Sequence, residues 1–533
     1  MTTRHGDAVA NIEAAHRERM SSVDTTWLRM DRPGNLMVIV GIMVFDRPVD
    51  RRKLKALLAS RLLAFPRFRQ CVQTDASGAA WWVDDAHFDL DAHLVHSRLA
   101  PPADDTALQT LVAQRAVTPL DPQRPLWQFE VVEGYRGTSA LVARIHHCIA
   151  DGIALIRVLL SLTDDVPRVS TTPSTRRAAQ AARRPSSRLL WPPMFRRPTA
   201  DADAADATAD GLGQTTLSSN PWQMLLQPLT ERAVQAIGAA GQVVTGSMKL
   251  ATRPDRLGGY AQVGQRAVAD AVQLALMPAD TLTRLKGTVG PHKRVAWNEP
   301  LPLDDVKLVG RALQASVNDV LLSCVAGALR RYLIAQGEDT EGCQIRAMVP
   351  VNLRPASAGL ELGNRFGLVP LVLPVGMVNP VARLQEVRRR MDALKGGYQA
   401  LITYGLLAAV GHAPRAVQDP ILQFMANKTT AVMTNVPGPG APMSMAGRTL
   451  SRMMFWVPQS GDVGLGVSIL SYAGGVQFGV IADAGFCPDP QQLIDAFAPE
   501  FEQLLLLAAV LPQDSRGQGE LDAQRLEAAL FGA

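Results

Sequence analysis

Two adjacent histidines, His146 and His147, close an apolar run in LVARIHHCIADGIALIRVLLSL and are the residues best suited to move a proton. Imidazole has an unperturbed pKa of about 6.5, so a ring held between layers of structure can accept a proton from an alcohol and return it to a leaving group. Strand alternation sends the two rings to opposite faces, His147 to the side of Leu141, Ala143 and Ile145, so only one can be the working residue. Asp151 follows just before Gly152 and a strongly apolar helical pattern. Its carboxylate can accept the first free N–H groups of that helix as an N-cap, and Gly152 permits a tight turn between strand and helix. From spacing alone, a catalytic pair and two structural core histidines both stay open. Cys148 adjoins His147, but neighbouring strand residues point apart, so it reads as a neutral structural thiol.

A second candidate lies in SVNDVLLSCVAGALRRYL. Val317, Val320, Leu321, Cys324, Val325 and Ala328 form one helical face there, and Ser316 with Asp319 reads as a capping box. Asn318 then sits in the first turn, where free N–H groups and the helix dipole favour negative charge. Its amide is either an oxyanion donor or simply part of the cap. No GxSxG occurs anywhere, so no serine nucleophile is being prepared. His87, Asp89, Asp91 and His93 alternate as on one strand face, a pattern that suits a metal or an exposed polar face; no metal site is assigned to it. TNVPGPGAP lacks the phosphate-loop and dinucleotide patterns and reads as a turn. The five cysteines include no CxxC pair, which argues against a zinc site or a disulfide framework and for reduced, buried thiols.

Positioning these groups requires a large core. The 533 residues exceed the roughly 250 to 300 at which single cores stop growing, so two domains are expected. With 47% hydrophobic and 19% charged residues, the chain is no disordered polymer, collagen or coiled coil. Its longest clean apolar run, Leu36 to Phe45, is far short of the roughly 18 residues a spanning helix needs. The N-terminal segment carries charges throughout and has no apolar centre, so export is not expected. The net charge of +5 is local: eight arginines lie between Arg168 and Arg197, and without them the chain is slightly acidic. No broad cationic face for nucleic acid is indicated.

Apolar runs, helical patterns and turn signals alternate over 1–165, as in a mixed α/β domain, with Leu54 to Leu63 read as a helix. An Arg-, Pro- and Ala-rich linker, expected to be a partly disordered tether, fills 166–220, and a helical connector, with a helical pattern from Trp222 to Leu250, fills 221–287. A second α/β domain follows over 288–533. In it Val463 to Tyr472 and Val476 to Ala482 flank Ala473-Gly474-Gly475 as a hairpin, and Pro488 to Leu507 reads as a helix packed back on it.

HHCIADG matches the HHxxxDG signature of acyltransferases with the chloramphenicol acetyltransferase-like fold. SSVDTTWLRMDRPGNLM, FDLDAHL, PLWQFEVVEG, VNDVLLSCVAGALRRYL, MVPVNLRP, GNRFG, TNVPGP and ILSYAGGVQFGVIAD, in that order, resemble one branch of it: the bacterial wax ester synthase/acyl-CoA:diacylglycerol acyltransferase family. The resemblance spans nearly everything except the linker. It implies an α/β fold of two chloramphenicol acetyltransferase-like domains with the active centre at their interface. It also implies direct transfer of a long-chain acyl group from acyl-CoA to diacylglycerol or a long-chain fatty alcohol, with acyl-CoA as co-substrate and no cofactor. By that resemblance His147 is the general base with His146 beside it, Asp151 supports the loop through a charge pair, and Asn318 is the asparagine of the ND pair. An apolar acceptor implies a cytoplasmic protein docked peripherally on a membrane or lipid-droplet surface, with the arginines of the linker as a candidate contact. Two alternatives are a carrier-protein-dependent transferase of the same fold, of the condensation or polyketide-associated type, and a non-catalytic lipid-surface protein.

Overall fold

The computed structural model describes residues 17–164, 269–270, 273–274, 276–355, 361–395 and 397–510. The linker 166–220, the helical pattern Trp222 to Leu250 and most of the connector 221–287 lie outside them.

Val38–Phe45 is buried at every position, because it is covered on both faces and so reads as a continuous apolar run instead of an alternating one. Val38, Val40, Ile42 and Val44 meet the helix Asp105–Ala116 and strand residues Val295 and Trp297 of the second half. Ile39, Met43 and Phe45 face a separate cluster that includes Trp27, Leu141 and Ile145. On one side this strand pairs antiparallel with Ser139–His146, Val38 opposite His146. On the other it pairs with Arg448–Trp456, so that a strand from late in the chain occupies what would otherwise be an unpaired apolar edge.

The resulting six-stranded sheet runs Ser444–Met445, Arg448–Trp456, Val38–Phe45, Ser139–His146, Trp127–Glu133, Leu94–Arg98. A seven-stranded sheet runs Phe366–Leu373, Ile345–Asn352, Ala431–Pro437, Leu465–Tyr472, Gly475–Asp483, Lys293–Trp297, with Leu301–Pro302 pairing on Gly475–Asp483. A small third sheet holds Arg17–Arg19, Ala80–Asp84 and Gln70–Thr74. The segment Ser444–Trp456, which lies within 288–533 by sequence, pairs in the first sheet.

Local chemistry accounts for the element boundaries. Ser316 and Asp319 form the expected capping box at the start of Val317–Ala335. The hairpin turns on Ala473 and Gly474, whose φ angles of 49° and 82° satisfy a tight two-residue turn, and Gly475 already pairs with Tyr472. The Leu54 to Leu63 helix begins at Arg51, capped by Asp50, and continues beyond Leu57 as a π-turn over Leu58–Leu62. The helix expected over Pro488 to Leu507 is two, Pro490–Asp495 and Phe497–Val510.

The alternating His87, Asp89, Asp91 and His93 do not share a strand face, which corrects that expectation. Asp89 caps a one-turn helix, Leu90–His93, and His93 is buried with Nδ1 2.7 Å from the Trp127 carbonyl. Side-chain capping of backbone N–H groups outcompeted the strand pattern.

The crossing strand also reaches the centre of the molecule. A Cβ at Gly41 would stand 2.1 Å from the ring of Phe455 on Arg448–Trp456. Gly41→Ala is therefore expected to destabilise the fold by about 1–3 kcal/mol through overpacking, read as a lower denaturation midpoint with an unchanged slope.

Candidate active site

His147 follows directly on the strand Ser139–His146 and opens the loop that leads into the helix Gly152–Ser161. Both of its backbone groups are held. Its N–H donates to the Met37 carbonyl at 2.7 Å, and its carbonyl accepts from Asn364 Nδ2 at 2.7 Å. The ring stacks on Trp27, centroids 4.3 Å apart and 16° from parallel, with Phe366 at 5.5 Å on a second side. Trp27 comes from the helix Ser22–Arg29 and Phe366 from the strand Phe366–Leu373, so the two halves of the chain together enclose one imidazole.

Burial disfavours the charged form and pushes the His147 pKa down to about 4; the nearby Asp151 charge opposes this. The ring is neutral at physiological pH. Its Nδ1 is sealed from solvent, which leaves Nε2 as the nitrogen able to act on a group in the adjoining cavity.

Asp151 does not line up as a second proton carrier. One carboxylate oxygen caps the helix, accepting from Ala154 N at 2.9 Å; the other accepts from the Arg354 guanidinium and from Arg365 N at 3.0 Å. Arg354 and Asp151 are both buried, and Arg354 also donates to the Gly363 carbonyl. The Ile149 carbonyl and the Asp151 N–H bond Gly363 in turn, tying the histidine loop to the segment 363–365. Gly152 opens the helix with nothing within 4 Å of where a Cβ would stand.

His146 faces the opposite way. Its Nδ1 accepts the Cys148 N–H at 3.1 Å, so its ring proton lies on Nε2, 3.3 Å from Asp31 Oδ2. It is absent from the cavity wall. Cys148 is buried, and its thiol is pushed well above the ordinary range.

The cavity beside His147 has a volume of about 110 Å³ and is lined mainly by apolar side chains of both halves, among them Ile39, Ile156, Leu159, Val432 and Phe455. Asn352, Thr434, Asn435 and Ser468 bring polar atoms to it. Asn318 stands one residue behind this wall, its Oδ1 accepting from Asn435 Nδ2 at 2.8 Å. The structure thus brings His147, Asp151 and Gly152 to the cavity, and leaves His146 and Asn318 behind it. Trp27, Asn364, Arg354 and Asp24 were not singled out from the sequence. Trp27 and Asp24 lie in VDTTW, Asn364 in GNRFG and Arg354 in NLRP, segments quoted above only as shared motifs.

Residues 20–321 match the wax ester synthase/diacylglycerol acyltransferase catalytic domain, and 362–505 the C-terminal domain of that group. The chain belongs to this family. It is similar to a probable diacylglycerol O-acyltransferase of Mycobacterium tuberculosis, at 28% identity over 485 residues, 89% of this chain and 93% of the relative. A second M. tuberculosis protein of that description is 27% identical over 523 residues, covering 92% and 97%. Among solved structures, a wax ester synthase/diacylglycerol acyltransferase from Marinobacter aquaeolei VT8 superposes with a TM-score of 0.59 at 18% identity, covering 92% of this chain and all of that one. The first condensation domain of the calcium-dependent antibiotic synthetase does so at 0.51 and 16%, covering 96% and 99%. These structural likenesses establish the shared two-domain fold. As a member of the family, the protein is an acyltransferase.

Breaking one side of the buried Asp151 and Arg354 pair leaves an uncompensated charge. Arg354→Met is expected to cost about 3–5 kcal/mol of stability, more than Arg365→Met, whose side chain is half exposed. Chemical denaturation of the two variants measures the difference.

Proposed function

We propose that the protein transfers a long-chain acyl group from acyl-CoA to the hydroxyl of diacylglycerol or a long-chain alcohol, with His147 as general base and no covalent enzyme intermediate. The observation that carries this reading is a neutral, buried imidazole at the wall of an apolar cavity between the two halves. Nε2 takes the proton of the acceptor hydroxyl as its oxygen attacks the thioester carbonyl. The tetrahedral intermediate collapses, the carbon–sulfur bond breaks, and the departing thiolate takes the proton back from the imidazolium. Each cycle returns the ring to its neutral form, with an ester and free CoA as products.

An oxyanion forms on the thioester carbonyl midway. Asn435 lines the cavity and is the candidate to stabilise it, with Asn318 orienting it through the 2.8 Å bond between their amides. Asn318 therefore enters this scheme as a support of Asn435. Asp151 enters as the anchor of the loop, and His146 as its neighbour, with Nε2 3.3 Å from Asp31 Oδ2.

A cavity of about 110 Å³ is smaller than the roughly 150 Å³ that holds a benzene ring. It suits the reacting carbonyl and hydroxyl, while the acyl chain and the acceptor's chains extend away from it. Such an acceptor resides in a bilayer or a lipid inclusion, so peripheral docking at that surface, on the cytoplasmic side, belongs to the proposal. Among the described residues no single helix is long and apolar enough to cross a membrane.

Thiol release by the purified protein with palmitoyl-CoA, measured against diacylglycerol, hexadecanol and short alcohols, tests the assignment. Turnover is expected with at least one lipid acceptor, and His147→Ala is expected to lower kcat by about 10²- to 10⁴-fold. Folded protein inactive on the whole panel, or undiminished turnover by His147→Ala, would contradict it. Protonation removes the lone pair that Nε2 needs, so kcat/KM is lost only as pH falls toward the depressed His147 pKa of about 4. An acid limb near the ordinary histidine range of about 6.5 would show that another group is being titrated.

A further inference from the structure

Asn352 ends the strand Ile345–Asn352 and stands opposite Phe366 in the antiparallel pairing with Phe366–Leu373. Directly opposed residues of such a pair carry their side chains on one face. Phe366 packs against the His147 ring and against Trp27, centroids 5.5 Å away in each case. Two residues beyond Asn352, Arg354 binds Asp151. Asn352 is thus placed between the ring of the base and the anchor of its loop, and it lines the cavity that both of them reach.

Only one end of its amide is used by the protein. Oδ1 accepts the Arg354 N–H at 3.1 Å. A backbone N–H can be met only by the oxygen, so the amide cannot be turned over, and the NH₂ is the end left over. The side chain is only 5% exposed, and Nδ2 is sealed from solvent with no acceptor. A donor buried in that way costs stability, and such orphans call for an explanation.

The other polar groups of the wall are mostly engaged. Ser468 Oγ donates to the Phe455 carbonyl, and Asn435 Nδ2 donates to Asn318. Among the described wall residues, the other buried polar side-chain atoms without a partner are Nδ1 of His147 and Nε1 of Trp27. In a mainly apolar cavity the group most in need of a fixed donor is an oxygen on which negative charge develops.

We propose that Asn352 is a further catalytic residue, whose Nδ2 donates to the carbonyl oxygen of the bound acyl thioester and holds the charge that this oxygen acquires. As the acceptor oxygen bonds to the carbonyl carbon, its proton passes to His147 Nε2 and the π pair moves onto the carbonyl oxygen facing Asn352. When that pair returns, the carbon–sulfur bond breaks and the thiolate takes the proton from the imidazolium. The proposal rests on the reading that an acyl thioester enters this cavity, and its test separates the two.

The test joins infrared spectroscopy of the full-length protein bound to palmitoyl-CoA with ¹³C at the thioester carbonyl, acceptor omitted, to steady-state thiol release with diacylglycerol. In the wild type the carbonyl band is expected at lower wavenumber than that of the same thioester in hexane. Asn352→Asp keeps an oxygen for the Arg354 N–H and replaces the donor with an acceptor. It is expected to return the band toward the hexane position and to lower kcat about 10²- to 10³-fold with little change in KM for palmitoyl-CoA. Asn352→Leu, of similar shape with neither polar atom, is expected to do the same and serves if Asn352→Asp fails to fold. His147→Gln is expected to be inactive with its carbonyl band still displaced.

Folded Asn352 variants with wild-type kcat, with their loss confined to KM, or with the wild-type band overturn the proposal. So does a wild-type band at the hexane position, a result that needs no variant. A displacement kept in both Asn352 variants and lost in Trp27→Phe assigns the donor to Trp27 and overturns it as well. Palmitoyl-CoA that neither binds nor turns over contradicts the proposed function, and the donor with it; full turnover that survives both Asn352 variants contradicts the donor alone.

Discussion

The structure is organised around keeping one imidazole dry without leaving it loose. Taking the ring of His147 out of water disfavours its charged form, and nothing at that position can be supplied by solvent. Orientation has to come from protein contacts: Trp27 and Phe366 across the ring faces, and Met37 and Asn364 on the backbone groups. These partners come from three places in the chain, around residues 27, 37 and 364–366. The site therefore exists only when both halves are folded against each other.

The buried charge of Asp151 serves the same end. A carboxylate in that setting is tolerable because it is saturated, by Arg354, by Arg365 N and by the first turn of its helix. Three independent donors leave it little freedom, and the loop from His147 to Asp151 inherits that rigidity. The crossing strand Arg448–Trp456 adds the other constraint, since it belongs by sequence to the second half and by pairing to the first sheet. Phe455 on that strand forms part of the cavity wall, so the interface that stabilises the fold also shapes the place where substrates would meet.

The strand ending in the histidine pair, the capping box at Ser316 and the C-terminal hairpin were legible in the sequence, because each is encoded locally by periodicity and turn residues. The opposite faces of His146 and His147 followed from alternation alone. The partners of those residues were not legible. Nothing near Asp151 in sequence says that its cation is Arg354, some two hundred positions on, and pairing across such separations leaves no periodic trace. The crossing strand was missed for the same reason. At 87–93 a period-two pattern was present, and Asp89 used it to cap a helical turn instead. Asn318 sits in the helical turn expected of it, but the residue on the cavity wall is Asn435, which only the packing of two distant segments discloses.

The central claim is that a hydroxyl and an activated acyl group meet at Nε2 of His147. Its most direct measurement is a crystal structure with an unreactive thioether analogue of palmitoyl-CoA and a lipid alcohol bound together. The acceptor oxygen should stand about 2.6–3.2 Å from Nε2, with the carbon that replaces the thioester carbonyl on its far side. An acceptor oxygen seated against any other side chain, with the His147 ring out of its reach, would contradict the account.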